Sequence, residues 1–249
     1  MQTLKPNWPA PPSVKAHTTL RKGGISQAPY NELNLAQHVG DDSNFVITNR
    51  NHLKENLQLP NEPIWLEQTH STIVIPALPE NRGKNADASF TTEANAICAI
   101  LTADCLPILL CNKQGTYVAA IHAGWRGLAN GIIEQTLKLA NIPFNDIMVW
   151  LGPGIGPAVY EVGDEVRELF INENSETIKA FTPSPNLRWL ADIYALARIR
   201  FKKQNITEVY GGEYCTYSAP ELFYSARRNG FQTGRMASLI WITDSRTTD

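Results

Sequence analysis

Long apolar runs are missing from this chain. No stretch approaches the ~20 residues that cross a bilayer as a helix, so a helical membrane protein is not expected. An excess of either charge is missing too. With 22 Lys and Arg against 24 Asp and Glu, a formal net charge of −2 and only 18% charged residues, nothing offers a basic face to nucleic acid or to an anionic membrane. Cysteine is sparse, four in 249 residues, at 98, 105, 111 and 215. They make no C-x-x-C pair and no dense framework, so free thiols in a reducing, cytoplasmic setting are expected. The Pro-rich opening, residues 1–12, lacks the apolar core of a signal peptide. H-E-x-x-H, the H-x-E with P-C-x-x-C of zinc deaminases, and the Gly-Lys-Ser/Thr ending of a phosphate loop are all absent.

What is present is the 43% hydrophobic content of an ordinary soluble protein, in a chain long enough for one large domain. Residues 1–22 read as an extended, Pro-rich N-terminal segment. Short apolar runs alternate with polar turns at 64–66, 72–75, 97–101, 108–111 and 117–121, each with strand character. After Gly127 the period changes: Leu128, Ile132, Ile133, Leu137 and Ala140 fall at helical spacing, with Glu134 and Lys138 as an i,i+4 pair on the other face. Further helices are predicted at 44–57, 162–170 and 191–203, and further strands at 147–151, 207–210 and 239–242. Strands and helices mix along the whole length without a linker, which predicts a single α/β domain over 1–249.

The runs at 97–101 and 117–121 each end in chemistry. The first leads into Thr102-Ala-Asp-Cys105-Leu-Pro, the second into Ile121-His-Ala-Gly-Trp-Arg-Gly127. Upstream, Trp65-Leu-Glu-Gln-Thr-His70 offers a second imidazole just after another strand-like run. Two imidazoles and a thiolate make a three-ligand set with a fourth tetrahedral position open, as in catalytic zinc sites. The same residues permit a metal-free reading, with Cys105 as nucleophile and His122 as its base. Cys98 and Cys111 lie inside apolar runs and read as packing thiols.

Three further groups are candidates. Asp104, beside Cys105, is either a proton shuttle or a residue that orients the site. Arg126, at a strand-to-helix junction, and Arg227 and Ser225, in the hydroxyl-rich Ser218–Arg228 stretch, are candidate substrate contacts, the arginines suited to phosphate or carboxylate. Gly152-Pro-Gly-Ile-Gly-Pro157 fails the phosphate-loop and dinucleotide patterns, so a turn is expected there. His17, His38 and His52 have no evident role.

In ordered blocks along nearly its whole length the chain resembles the YfiH-like family, also described as multicopper polyphenol oxidoreductases or laccases and as purine nucleoside phosphorylases. The blocks include Leu20–Ser26, Trp65–His70, Ala86-Asp-Ala88, Thr102–Pro107, His122–Gly127, Leu151–Gly156, Phe223–Arg228 and Thr233–Met236. The resemblance implies metal ligation by His70, Cys105 and His122, with Zn²⁺ or Cu²⁺ as the ion. It implies an α/β fold of α+β type, a four-layer α-β-β-α sandwich with two stacked mixed sheets. Ser71 stands where many relatives carry Gly. The activities implied are phosphorolysis of adenosine, inosine and methylthioadenosine, adenosine deamination, copper-dependent phenol oxidation, and hydrolytic editing of a UDP-muramyl peptidoglycan precursor. Five histidines are too few for the several imidazole-rich centres of a multicopper oxidase. A zinc-dependent purine nucleoside enzyme acting with phosphate is therefore the favoured expectation. The same sandwich is similar to the catalytic domain of deamidating bacterial toxins, which keeps a Cys–His or zinc amidase as one alternative, beside a copper-dependent, laccase-like polyphenol oxidase as the other.

Overall fold

A computed structural model describes residues 1–185 and 187–244. The strands in chain order are β1 (Thr3–Leu4), β2 (Val14–Thr19), β3 (Val74–Pro76), β4 (Ala88–Thr91), β5 (Ile97–Thr102), β6 (Leu106–Asn112), β7 (Val118–Ala123), β8 (Ile147–Leu151), β9 (Glu161–Val162), β10 (Phe181–Pro183), β11 (Trp189–Ala191), β12 (Val209–Gly211) and β13 (Met236–Ile242). The helices are α1 (Ser43–Asn56), α2 (Trp125–Ala129), α3 (Ile132–Ala140), α4 (Asp164–Glu173), α5 (Ile193–Lys203) and α6 (Ala226–Asn229).

Alternation along the strands explains the layering, because successive side chains of a strand face opposite ways. In β5, Cys98 and Ile100 join a core with Leu109, Cys111, Val118, Ala120, Met148 and Trp150 of β6, β7 and β8. The intervening Ile97, Ala99 and Leu101 join a second core, with Leu53 of α1 and with Leu33 and Leu35 from the loop before it. On the far side, Ile108, Leu110, Ala119, Ile121, Val149 and Leu151 pack with Ile133 and Leu137 of α3 and Leu196 and Phe201 of α5. Two sheets, each buried on both faces, thus lie between outer helices, which is the expected four-layer, mixed α+β sandwich. Double burial is why these strands read as continuous apolar runs.

One sheet runs β1-β2-β13-β5 and the other β12-β8-β6-β7-β4-β3, with a small third sheet of β10-β11-β9. The chain passes from the first to the second in three residues, Ala103–Cys105, between β5 and β6. Within the N-terminal segment, β2 pairs with β13, from Thr18 opposite Ser238 to Val14 opposite Ile242.

Several elements differ from expectation. The run at 64–66 makes only an isolated bridge, Ile64 with Cys98. The helical pattern after Gly127 is two helices, broken where Gly131 takes φ 91°. Glu134 pairs with Arg200 at 2.8 Å rather than with Lys138. The helix predicted from 191 begins at Ile193, capped by Asp192, whose carboxylate accepts from the Ala195 N–H at 2.9 Å. The strands β9, β10 and β11 are two or three residues long, too short to show a period.

The Gly152–Pro157 loop spends its N–H groups internally. Gly152 donates to the Pro107 carbonyl at 2.8 Å and Ile155 to that of Asp104 at 2.9 Å. Gly154 donates to the Tyr194 hydroxyl at 2.7 Å and Gly156 to Cys215 Sγ at 3.2 Å. A phosphate cradle needs those donors free, so the turn reading holds.

Candidate metal centre and cavity

The Asp87 carboxylate, fully buried at the start of β4, organises the site. It accepts hydrogen bonds from the backbone N–H groups of Thr69 (3.2 Å), His70 (3.0 Å) and Ser71 (2.6 Å), and from the Ser71 hydroxyl (2.7 Å). Its Oδ1 also lies 2.8 Å from His122 Nδ1. Burial would push this carboxyl up, but the bonds from His122 and Ser71 outweigh it and hold it down at about 2. The Ser71 hydroxyl supplies a bond that glycine at this position cannot make. With Nδ1 committed to Asp87, His122 keeps Nε2 for other work, as ligating histidines do when a carboxylate fixes their ring.

Gln68 fixes the approach to His70. Its amide donates to the Leu101 carbonyl at 2.8 Å and accepts from the Leu101 N–H at 2.7 Å, continuing the edge of β5 as a backbone would. His70 then turns through φ 61°, a left-handed conformation held by the Asp87 bonds. Asp104 turns likewise at φ 88°, which sets Cys105 at the start of β6. In the β6–β7 ladder Leu106 faces Ala123 and Pro107 faces His122, so the thiol and the imidazole meet at the ends of neighbouring strands.

The three predicted donors converge. One ligand atom from each of His70, Cys105 and His122 lies within 4.8 Å of the other two, and Cys105 Sγ is 3.5 Å from His70 Nε2. Gly124 makes this possible: a Cβ there would lie 2.5 Å from His70 Cδ2 and 3.1 Å from Cys105 Sγ. Burial alone would push the Cys105 thiol up and the His122 imidazole down. Each charged form stabilises the other, with Asp87 adding to His122, and the balance runs the opposite way: the thiol is held low and the imidazole high. Two imidazoles and a thiolate braced by a buried carboxylate suit zinc or another borderline-soft ion.

This contrast among thiols predicts a reactivity pattern. Burial pushes Cys98 and Cys111 up to about 12, whereas hydrogen bonds from Ser218 and neighbouring N–H groups outweigh burial at Cys215 and lower it. In metal-free protein at neutral pH, iodoacetamide is expected to label Cys105 and Cys215 and to spare Cys98 and Cys111. Peptide mass spectrometry reads this directly, and the Cys105→Ala variant should lose one rapid phase.

The donors sit in a cavity of about 390 Å³, within the range of small-molecule sites. Leu101, Trp125, Ile155, Tyr160 and Ile193 give it apolar walls, and His38, Gln68, Arg227 and Arg235 add polar groups. The other predicted site residues are distributed unevenly. Arg227 lines the cavity and donates to the Glu161 carbonyl at 3.0 Å. Arg126 is exposed, stacked 4.3 Å over Trp125, and is not part of the lining. Ser225 is buried and caps α6 through its hydroxyl, which accepts from the Arg228 N–H at 3.2 Å and donates to Asp104 at 3.0 Å. The Asp104 carboxylate also accepts from the Thr216 hydroxyl and from the Arg227 N–H, both at 2.6 Å.

A sequence model of the family described as multi-copper polyphenol oxidoreductase laccase matches residues 15–243. The chain belongs to this family, the YfiH-like proteins. A Pseudomonas aeruginosa member named purine nucleoside phosphorylase is 50% identical over 97% of this chain and 98% of its own length. The Escherichia coli member named purine nucleoside phosphorylase YfiH is 46% identical over 96% and 98%. Among solved family structures, a Neisseria meningitidis protein superposes with a TM-score of 0.94 at 43% identity, over 98% of this chain and all of that one. YlmD of Geobacillus stearothermophilus gives 0.91 at 29% over 98% and 97%.

Sequence reasoning missed Asp87, Gln68, Gly124, His38 and Arg235 as site residues. A carboxylate in an otherwise apolar Ala86-Asp-Ala88 step was a readable signal for Asp87. Of the remaining histidines, His17 is bound to Thr3 at 2.9 Å and stacked on Trp241, and His52 is exposed on α1. Among the described residues, His70, Cys105 and His122 form the one group of three or more His, Cys, Asp or Glu donors close enough to share an ion. Copper as well as zinc fits these three donors.

Proposed function

We propose that this chain is a zinc-dependent purine nucleoside enzyme that cleaves adenosine, inosine and methylthioadenosine with phosphate, giving the base and ribose 1-phosphate. The observation that carries this reading is a three-donor group facing a nucleoside-sized cavity. Support comes from the naming of a relative 50% identical over 97% of the chain for that activity. In the reaction a phosphate oxygen bonds to ribose C1′ as the C1′–N9 bond breaks. The electron pair leaves with the purine, and the phosphate's proton balances the charge left on the base.

His70, Cys105 and His122 would hold the metal, which would supply Lewis acidity and positive charge to the cavity. Asp87 fixes the His122 ring and the His70 turn. Asp104, bound to Thr216, Ser225 and the Arg227 N–H, positions Arg227, which holds phosphate. Tyr160, pushed above its usual range by burial, stays a hydroxyl at neutral pH and offers a donor to the ribose. The apolar walls keep bulk water back and favour phosphate over it as the nucleophile at C1′. Deamination of adenosine at C6 is proposed as a second reaction of the same cavity: one water admitted with the substrate adds at C6 and ammonia leaves, giving inosine.

The ordered contact Asp87–His122 at 2.8 Å, with Cys105 beside the ring, favours one second reading. It is a Cys–His amidase that forms an acyl-enzyme with a UDP-muramyl peptide precursor. One comparison separates the two. Phosphate-dependent release of hypoxanthine from inosine, lost in Cys105→Ala and on chelation, is expected. Release of an amino acid from the UDP-muramyl substrate, with no base released, would replace the nucleoside reading by the amidase.

A further inference from the structure

One aromatic ring at the cavity is not needed by the fold. Phe231 lines the cavity, yet it is 85% exposed. Other large apolar side chains left exposed, such as Ile25, Ile47 and Leu169, lie away from the cavity. Phe231 rides on a short tip between two anchored points. Before it, the Gly230 N–H donates to the Ala226 carbonyl at 2.9 Å, closing α6. After it, Thr233 is buried, and the Arg235 guanidinium holds the Thr233 and Gly234 carbonyls at 2.6 and 3.1 Å.

The tip itself is loosely tied. The Phe231 carbonyl receives one long bond, from Arg235 at 3.4 Å, and nothing lies within 4 Å of a Cβ at Gly230. The ring, 85% exposed, has apolar surface to lose. Inside the cavity Trp125 and Tyr160 offer further aromatic surface. A flat heterocycle entering this space meets aromatic walls within and a free ring at the mouth, which is the arrangement that binds bases by stacking.

We infer that Phe231 is a specificity-determining lid, its ring closing over the nucleobase and selecting purines by the larger face that two fused rings present. This rests on the nucleoside reading above. The test compares wild type with Phe231→Ala and Phe231→Trp, measuring the Kd for adenosine and uridine by calorimetry beside steady-state kinetics. Phe231→Ala is expected to raise the Kd and KM for adenosine about tenfold, the factor that one lost base–ring stack costs. It should leave kcat, the KM for phosphate and the Tm nearly unchanged, because the lost ring is solvent-facing. The preference for adenosine over uridine should shrink, and Phe231→Trp should restore it.

An active Phe231→Ala enzyme whose adenosine KM and Kd match wild type overturns the lid and leaves the nucleoside reading intact. So does a Phe231→Ala enzyme that loses kcat and phosphate affinity in equal measure, since that is the mark of a disordered site. Failure of Phe231→Trp to restore the preference also overturns it. Wild type that neither binds adenosine nor releases base overturns the nucleoside reading itself, and the lid with it.

Discussion

Replacing Gly124 with alanine is expected to abolish metal binding while the protein remains folded. Gly124 has φ −66° and ψ 161°, a conformation open to any L residue, so the backbone has no objection to a methyl group. The site objects: the new Cβ would stand 2.5 Å from His70 Cδ2 and 3.1 Å from Cys105 Sγ, and both ligands must move apart. Displacement of a reacting group by ~1 Å costs on the order of 100-fold in rate, so kcat/KM should fall at least that far. Loss of a glycine cap at the start of α2 costs stability only modestly, about 1 kcal/mol or less. Elemental analysis beside thermal unfolding reads both sides. A Gly124→Ala protein with full metal content and wild-type activity would show that the three donors do not share an ion.

Asp87→Asn is the second large effect, and here stability and site fall together. The carboxylate accepts five contacts, three of them from consecutive N–H groups, with His122 and the Ser71 hydroxyl beside them. An amide keeps the shape but turns one oxygen into a donor that faces other donors, leaving buried N–H groups unpaired. Breaking a buried network of this kind costs about 3 kcal/mol, and loss of the partner that orients a ligating histidine weakens metal binding by about 10–100-fold. Chemical denaturation and competition with a chromophoric chelator measure the two quantities.

The same carboxylate sets a pH dependence. Its folded value, about 2, lies below the ordinary 3.8. Its contribution is therefore complete above about pH 4 and lost as pH falls toward 2. The difference corresponds to about 2 kcal/mol. Asp87→Asn should flatten that acid limb, and an unchanged limb would place the acid sensitivity elsewhere.

Much of this arrangement was legible from the residues. Doubly buried strands announce themselves as unbroken apolar runs, so β5 to β8 were found. The donors at the ends of β5 and β7 stood out because polar chemistry at the end of a buried strand is unusual. The β2 strand was hidden because Val14–Thr19 follows a Pro-rich opening and carries Lys15 and His17, and its burial depends on pairing with a strand more than 200 residues away. Period alone also could not place the break at Gly131, since the apolar positions on both sides keep helical spacing. Within the site, Asp87 and Gln68 act through backbone groups of other segments, and such bonds leave no spacing to read. Arg126 shows a different limit: a strand-to-helix junction marked it as an anion contact, and its stacking on the neighbouring indole could not be read from the sequence.

The strand order β1-β2-β13-β5 has a consequence for biosynthesis. The seam between the earliest strands and β5 is filled by residues 236–242, which a ribosome delivers after all the other strands of the described residues. Until they emerge, β2 and β5 each hold an open ladder edge that invites pairing with other chains. The nascent polypeptide therefore closes its first sheet only as synthesis of this region finishes, and a stop codon before position 236 leaves a gap in the middle of a sheet.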